Sequence, residues 1–226
     1  MEKEKVASML EKGADTMQEI VKKSCIWSGF YLIVEFILIY LFQFVLNEKF
    51  LYLGIVGIIY ILIHLFFLKY RREWLFINGI LSFLSVVLLG ILIGKDLKLD
   101  GVVAIGAAIS VVDGLSFTKY GKKTANAKAM SNIKFMSKLI VYGKGEKEAL
   151  YPTCGIGDYF YFALWLSGLS KSSSMLVALG VALFTGNVIN KIIIYKIHTR
   201  ENYKGIPATI IPFVCVIAVY FIAGYR

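Results

Sequence analysis

The sequence predicts an all-α fold, a polytopic membrane helix bundle of about seven transmembrane helices, and two observations carry that reading. The 226 residues are 58% hydrophobic and only 18% charged, with a mean hydropathy of +0.70. The apolar residues are gathered into blocks of about the 20 residues that cross a hydrocarbon core, and the charged residues fall in the turns between them. The longest polar interval runs only from about Thr118 to Tyr151, so no stretch has the size of a soluble domain. One membrane domain over residues 25–226 is expected, behind an N-terminal segment, 1–24.

That segment alternates charges with Val6, Met9, Leu10, Met17, Ile20 and Val21, which lines the apolar side chains along one side of a helix. It predicts an amphipathic helix on the cytoplasmic membrane surface, without the continuous apolar core of a cleaved signal peptide. Seven spans follow, at roughly Ile26 to Leu46, Phe50 to Leu68, Trp74 to Gly94, Gly101 to Phe117, Gly155 to Leu169, Ser173 to Tyr195 and Ile206 to Tyr225. The fourth and fifth are short, which predicts that they borrow residues from the intervening loop or lie in a thin, wet region. That loop, 118–151, opens with Tyr120-Gly121-Lys122-Lys123; its middle, Ile133 to Val141, predicts an interfacial helix and its Gly143 to Glu148 end a mobile one.

The net charge of +10 is spread over turns and forms no single basic face, so no nucleic-acid partner is expected. It reads as topology. Alternate connections collect Lys22 and Lys23; Lys69, Arg71 and Arg72; the lysines of the long loop; and Lys196, Arg200 and Lys204. The positive-inside rule then places the N-terminus and the long loop in the cytoplasm and the C-terminus outside. Three cysteines at unrelated positions predict no disulfide framework or zinc set, and two histidines without an HExxH predict no zinc protease.

Two carboxylates stand out within the apolar runs. Asp113 lies near the cytoplasmic end of the fourth span and Asp158 near the cytoplasmic start of the fifth, which puts both roughly 5 to 10 Å below the surface at about 1.5 Å per residue. A carboxylate costs roughly 2.5 to 3.5 kcal/mol at the bilayer centre, so such a pair is expected to have a use. Two close carboxylates share one proton, which supplies one group to take a proton from water and one to polarise a carbonyl. Gly155 and Gly157 lack a Cβ, which lets the turn before Asp158 leave helical geometry or admit another backbone. Pro207 and Pro212 interrupt the start of the last span, which predicts unpaired carbonyls there for an unwound substrate.

These residues resemble one family. Gly155-Ile156-Gly157-Asp158, with the aromatic run Tyr159-Phe160-Tyr161-Phe162, resembles the GxGD motif of presenilin and signal peptide peptidase. Asp113 in Val112-Asp113-Gly114 is similar to the first catalytic aspartate of that family, and Pro207-Ala208-Thr209 to its PAL motif. The likeness covers about residues 100–226. It departs at Val112, where the family has Tyr, at Thr209, where it has Leu, and in the seven spans where the family core has nine. The resemblance implies a compact prokaryotic-type intramembrane aspartyl protease with Asp113 and Asp158 catalytic and Gly155, Gly157, Pro207, Ala208 and Thr209 positioning substrate. It implies no metal or organic cofactor, substrates that are transmembrane peptides or proteins within membrane lipid, and no obligate subunits. Small external loops point to a multi-pass protein of a microbial cell membrane.

Three other readings remain open at this point. A small ion- or proton-coupled transporter or channel would use Glu35, Asp113 and Asp158 as its charge carriers. A non-catalytic relative would keep the motifs without the reaction. A prepilin-type peptidase also uses GxGD, but usually takes its first aspartate from an early helix. Glu35 and His64 are expected to make hydrogen bonds between helices, as are Asn187 and Asn190, and Lys191 is expected to snorkel to the cytoplasmic surface.

Overall fold

The computed structural model describes residues 17–46, 48–116, 118, 132–197 and 207–224. Among them are eight α-helices: α1 (Met17–Phe44), α2 (Leu53–Phe66), α3 (Leu75–Asp96), α4 (Leu99–Ser116), α5 (Ile133–Leu139), α6 (Ile156–Leu169), α7 (Ser173–Ile197) and α8 (Ile210–Gly224). A two-stranded antiparallel hairpin, β1 (Ile140–Lys144) and β2 (Leu150–Gly155), stands between α5 and α6. All seven expected spans are present as helices. Five of them, α1, α2 with the turn before it, α3 with the turn before it, α4 and α7, are long and apolar enough to cross a membrane. Large apolar side chains face outward from these helices, including Ile26, Val56, Phe67, Val181 and Ile192. An exposed apolar surface of this extent is what lipid covers, and the chain reads as a membrane protein.

Three expectations are corrected. First, α1 runs without a break from Met17, so residues 17–24 are the opening turns of the first long helix; residues 1–16 lie outside the described residues. A helix of 28 residues is about 42 Å long, more than a hydrocarbon core of about 30 Å, so its charged first turns can stand beyond the lipid. Second, the expected interfacial helix stops at Leu139, because Ile140 to Tyr142 pair with β2. Third, the Gly143 to Glu148 stretch is the turn end of that hairpin and not a plain loop, and there Gly145 N–H donates to Ala149 O at 2.9 Å. The Tyr120 to Lys123 stretch lies outside the described residues.

The centre of the bundle is α6. Tyr159, Phe162, Ala163 and Trp165 have no exposed surface, and Leu164, Leu166 and Leu169 have almost none. A helix buried on every side is apolar all round, which is why this stretch lacks an amphipathic period. It packs most closely on α3. A Cβ added at Gly90 would lie 2.6 Å from Phe160 O, and one added at Gly94 would lie 2.6 Å from Leu164 O. Two glycines four residues apart thus let α3 approach α6 to backbone contact, the small-residue packing that membrane helices use where water supplies no driving force between them.

The first helix holds both ends of α6. At one end Tyr31 Oη donates to Tyr142 O at 2.9 Å, Lys23 Nζ to Tyr151 Oη at 3.0 Å, and Ser24 Oγ to Pro152 O. At the other, Gln43 Nε2 donates to Ser170 O at 2.6 Å and Ser167 O at 3.2 Å, while Ser170 Oγ donates back to Gln43 Oε1 at 3.1 Å. These bonds occupy carbonyls that the end of α6 would otherwise leave unpaired.

Packing this tight predicts contrasting glycine variants. Gly94→Ala, which forces a Cβ onto backbone, is expected to cost about 1 to 3 kcal/mol and to lower the melting temperature in detergent. Gly157→Ala, whose Cβ would meet nothing within 4 Å, is expected to leave it unchanged.

Candidate functional site

The site forms where β2 turns into α6. Gly155 ends the strand with extended backbone (φ −68°, ψ 153°), and the helix begins at Ile156. Asp158 stands in the first turn and reaches back, so that its Oδ2 accepts from Gly155 N–H at 2.9 Å. This is the carboxylate half of a capping box, and it satisfies one of the N–H groups that a helix start leaves without an intrahelical partner. The expected non-helical turn is therefore a strand-to-helix junction. Gly157 opens onto empty space, while a Cβ at Gly155 would sit 3.3 Å from Asp158 Oδ2.

The second aspartate arrives from α4. Asp113 lies in its last turns and accepts at Oδ2 from Thr209 N–H at 3.1 Å and Thr209 Oγ1–H at 2.8 Å. Thr209 is buried just before α8 begins. The last helix thus starts at Ile210, four residues later than expected, because Pro207 to Thr209 take an irregular path across the end of α4. Asp113 and Asp158 line one cavity of about 880 Å³. Each aspartate commits Oδ2 to a backbone N–H, and neither Oδ1 makes a hydrogen bond among the described residues.

Of the residues expected at the site, Asp113, Gly155, Gly157, Asp158, Ala208 and Thr209 line this cavity. Pro207 does not. The carbonyls of Pro207 and Ala208, expected to be unpaired, both face Asn190, whose Nδ2 donates to Ala208 O at 2.8 Å and more distantly to Pro207 O at 3.5 Å. Asn190 is therefore the expected bridge between structural elements, whereas Asn187 Nδ2 bonds Leu183 O within its own helix. Among the other ionisable groups, His64 Nδ1 pairs with Asn78 Nδ2 at 3.2 Å as expected. Glu35 departs from expectation: it is fully buried against the Ala163 backbone, and neither oxygen makes a well-formed hydrogen bond. It does not line the cavity.

Lys191 also lines the cavity, and it donates to Thr153 O at 3.1 Å, two residues before Gly155. Its signal in the sequence was the cluster Asn187, Asn190 and Lys191, whose spacings of three and four put its polar groups on one helix face. The cavity wall also contains Cys154. Burial pushes the Cys154 thiol above its ordinary value, which makes it a poor nucleophile despite its position.

No family model matches the chain, and no curated protein matches it.

The protonated, covered Cys154 thiol is expected to resist iodoacetamide at pH 7.5 in the folded protein and to be alkylated after denaturation in SDS. Peptide mass spectrometry of the two samples reads the difference.

Proposed function

We propose that the chain is an intramembrane aspartyl protease that hydrolyses peptide bonds of transmembrane segments with Asp113 and Asp158. The observation that carries this reading is the delivery of both carboxylates, from α4 and α6, to one cavity in which each keeps an oxygen without a hydrogen bond. The resemblance of Gly155 to Asp158, Asp113 and Pro207 to Thr209 to the presenilin and signal peptide peptidase motifs supports it. In the same reading the chain crosses a microbial cell membrane seven times, with the N-terminus cytoplasmic, the C-terminus external and α6 and α8 as the short spans.

The chemistry follows from the shared proton. The ionised member of the pair takes a proton from water as the water oxygen bonds to the substrate carbonyl carbon. The protonated member donates to the carbonyl oxygen, giving a neutral gem-diol. A proton then passes to the amide nitrogen, the C–N bond breaks, and a carboxylic acid and an amine leave. Which aspartate holds the proton is a property of the pair. The fixed Oδ2 contacts to Gly155 and Thr209 hold the reacting groups in place before substrate arrives, which is where positioning contributes most. Open space at Gly157 leaves room for a substrate backbone. In this reading Thr209 takes a second role beside substrate docking, as the clamp on Asp113.

The transporter reading is less well supported, since Glu35 stands apart from the cavity that holds the two aspartates.

Cleavage of a single-span reporter by purified protein in lipid tests the proposal. Asp113→Asn and Asp158→Asn are each expected to lose about 100- to 10,000-fold or more in rate with unchanged melting temperature. Asp113→Glu and Asp158→Glu are expected to fail as well, since a longer arm displaces the reacting oxygen. Cleavage that survives in either Asn variant overturns the reading, as does an inactive wild type that instead conducts protons. Active protein is expected to show a bell-shaped pH profile, because both the doubly charged and the doubly protonated pair are idle.

Thr209→Val keeps the N–H and removes the hydroxyl. Losing a hydrogen bond to a charged group, about 1.5 to 3 kcal/mol, is expected to lower kcat by about 10- to 100-fold, with Thr209→Ser restoring most of it. A rate unchanged in Thr209→Val removes the clamp from the account.

A further inference from the structure

A second cavity, of about 670 Å³, lies between α1 and α7 on the far side of Lys191 from the aspartates. The two helices contribute antiparallel walls: a Cβ at Gly29 would lie 3.6 Å from Phe184 and one at Gly180 2.6 Å from Phe36, so Lys22 on α1 lies toward the same end as Tyr195 on α7, and Leu32 toward the same end as Phe184. One end of the groove is therefore charged and the other apolar. The charged end carries Lys22, Lys191 and Glu19, two cations against one anion. Lys22 is exposed, and Lys191 spends one of its three donors on Thr153 O. At the apolar end Gly29 presents no side chain, which leaves a channel along Leu32, Phe184 and Val188.

We propose that this groove binds an anionic phospholipid, with the headgroup phosphate on Lys22 and Lys191 and an acyl chain along Leu32, Phe184 and Val188. The inference rests on the membrane topology proposed above, which puts the charged end at the cytoplasmic interface. Charge decides between a lipid and a substrate helix. A transmembrane substrate obeys the positive-inside rule and brings its own lysines and arginines to that interface, against Lys22 and Lys191. A phosphate meets the same pair favourably, since basic residues near a membrane surface attract anionic lipid headgroups. Lys191 and Asn187 line both this groove and the aspartate cavity, so the bound headgroup lies behind the wall of the candidate active site.

Native mass spectrometry of the purified full chain, loaded with equimolar phosphatidylglycerol and phosphatidylcholine, tests the site without any catalytic readout. The wild type is expected to retain phosphatidylglycerol at least fivefold over phosphatidylcholine. Lys22→Gln, an exposed change that leaves the cavity of the aspartates intact, is expected to reduce that preference to below twofold. Gly29→Leu is expected to reduce retention of both lipids by filling the channel, since its Cβ would stand 3.6 Å from the Phe184 ring, an ordinary contact. Equal retention of the two lipids by wild type, or a preference unchanged in Lys22→Gln, means annular lipid only and overturns the proposal. So does displacement of the lipid by a single-span substrate peptide, which would make the groove an entry path. Loss of reporter cleavage in the aspartate variants bears on the protease reading and leaves this result untouched.

Discussion

The arrangement depends on one constraint: a carboxylate set among apolar helices must find hydrogen-bond donors, and intact helices have none to offer. Every backbone N–H inside a helix is already bonded to a carbonyl one turn back, and lipid supplies no water. Donors exist only where a helix begins or a chain breaks. Asp158 uses the N–H of Gly155 at the start of its own helix. Asp113, near the end of α4 where only carbonyls are left unpaired, borrows the N–H and hydroxyl of Thr209 from the break before α8. Two breaks, one before α6 and one before α8, thus serve two carboxylates.

Placing those breaks beside each other is the task of the packing. A 14-residue α6 is about 21 Å long, shorter than a hydrocarbon core of about 30 Å. A helix that short cannot bring its first turn to a membrane surface while its other end reaches the opposite one. The β-hairpin that precedes it has its backbone paired strand to strand, so it tolerates burial against protein. Gly143 allows Trp27 of α1 to lie directly on β1, and Tyr31, Lys23 and Ser24 fasten the hairpin to that helix. Gly90 and Gly94 then draw α3 against α6. Asp158 is therefore held in place by packing along the helix it begins, and by the strand that runs into it.

Much of this was legible in the sequence, because burial in lipid leaves a strong composition signal. All seven apolar blocks became helices, and Asp113 and Asp158 were singled out by their cost in such blocks before any geometry was known. What was missed lay where backbone pairing, not hydropathy, decides. Ile140 to Gly155 alternates too weakly to read as two strands, and Pro152 within β2 argues against one; the Gly143-Lys144-Gly145 stretch was the available turn signal. The long α1 was split in two because its first turns are charged, although nothing there breaks a helix. Glu35 was expected to find a partner on a neighbouring helix, yet both its oxygens are buried without a hydrogen bond. The contact of Lys191 with Thr153 O joins residues 38 apart in the chain, and such a pairing leaves no local pattern.

The role of Asn190 follows from the same logic and explains how the last break keeps its shape. Pro212 has no N–H, so Ala208 O, four residues before it, cannot be satisfied by the helix, whereas Thr209 O is bonded by Phe213 N–H. Asn190 lies one residue before Lys191 on α7, and its single amide nitrogen faces both Pro207 O and Ala208 O. Ala208 C=O and Thr209 N–H belong to one trans peptide, so holding that carbonyl toward α7 turns the N–H the other way, to Asp113. Lys191, adjacent in sequence, holds Thr153 O and so the approach to Gly155 and Asp158. Neighbouring residues of one helix therefore fix the two irregular segments that supply donors to the two aspartates. That is a physical reason for α7 to stand between the GxGD helix and the proline motif: a helix in that place can hold both segments to one separation, which a loop could not.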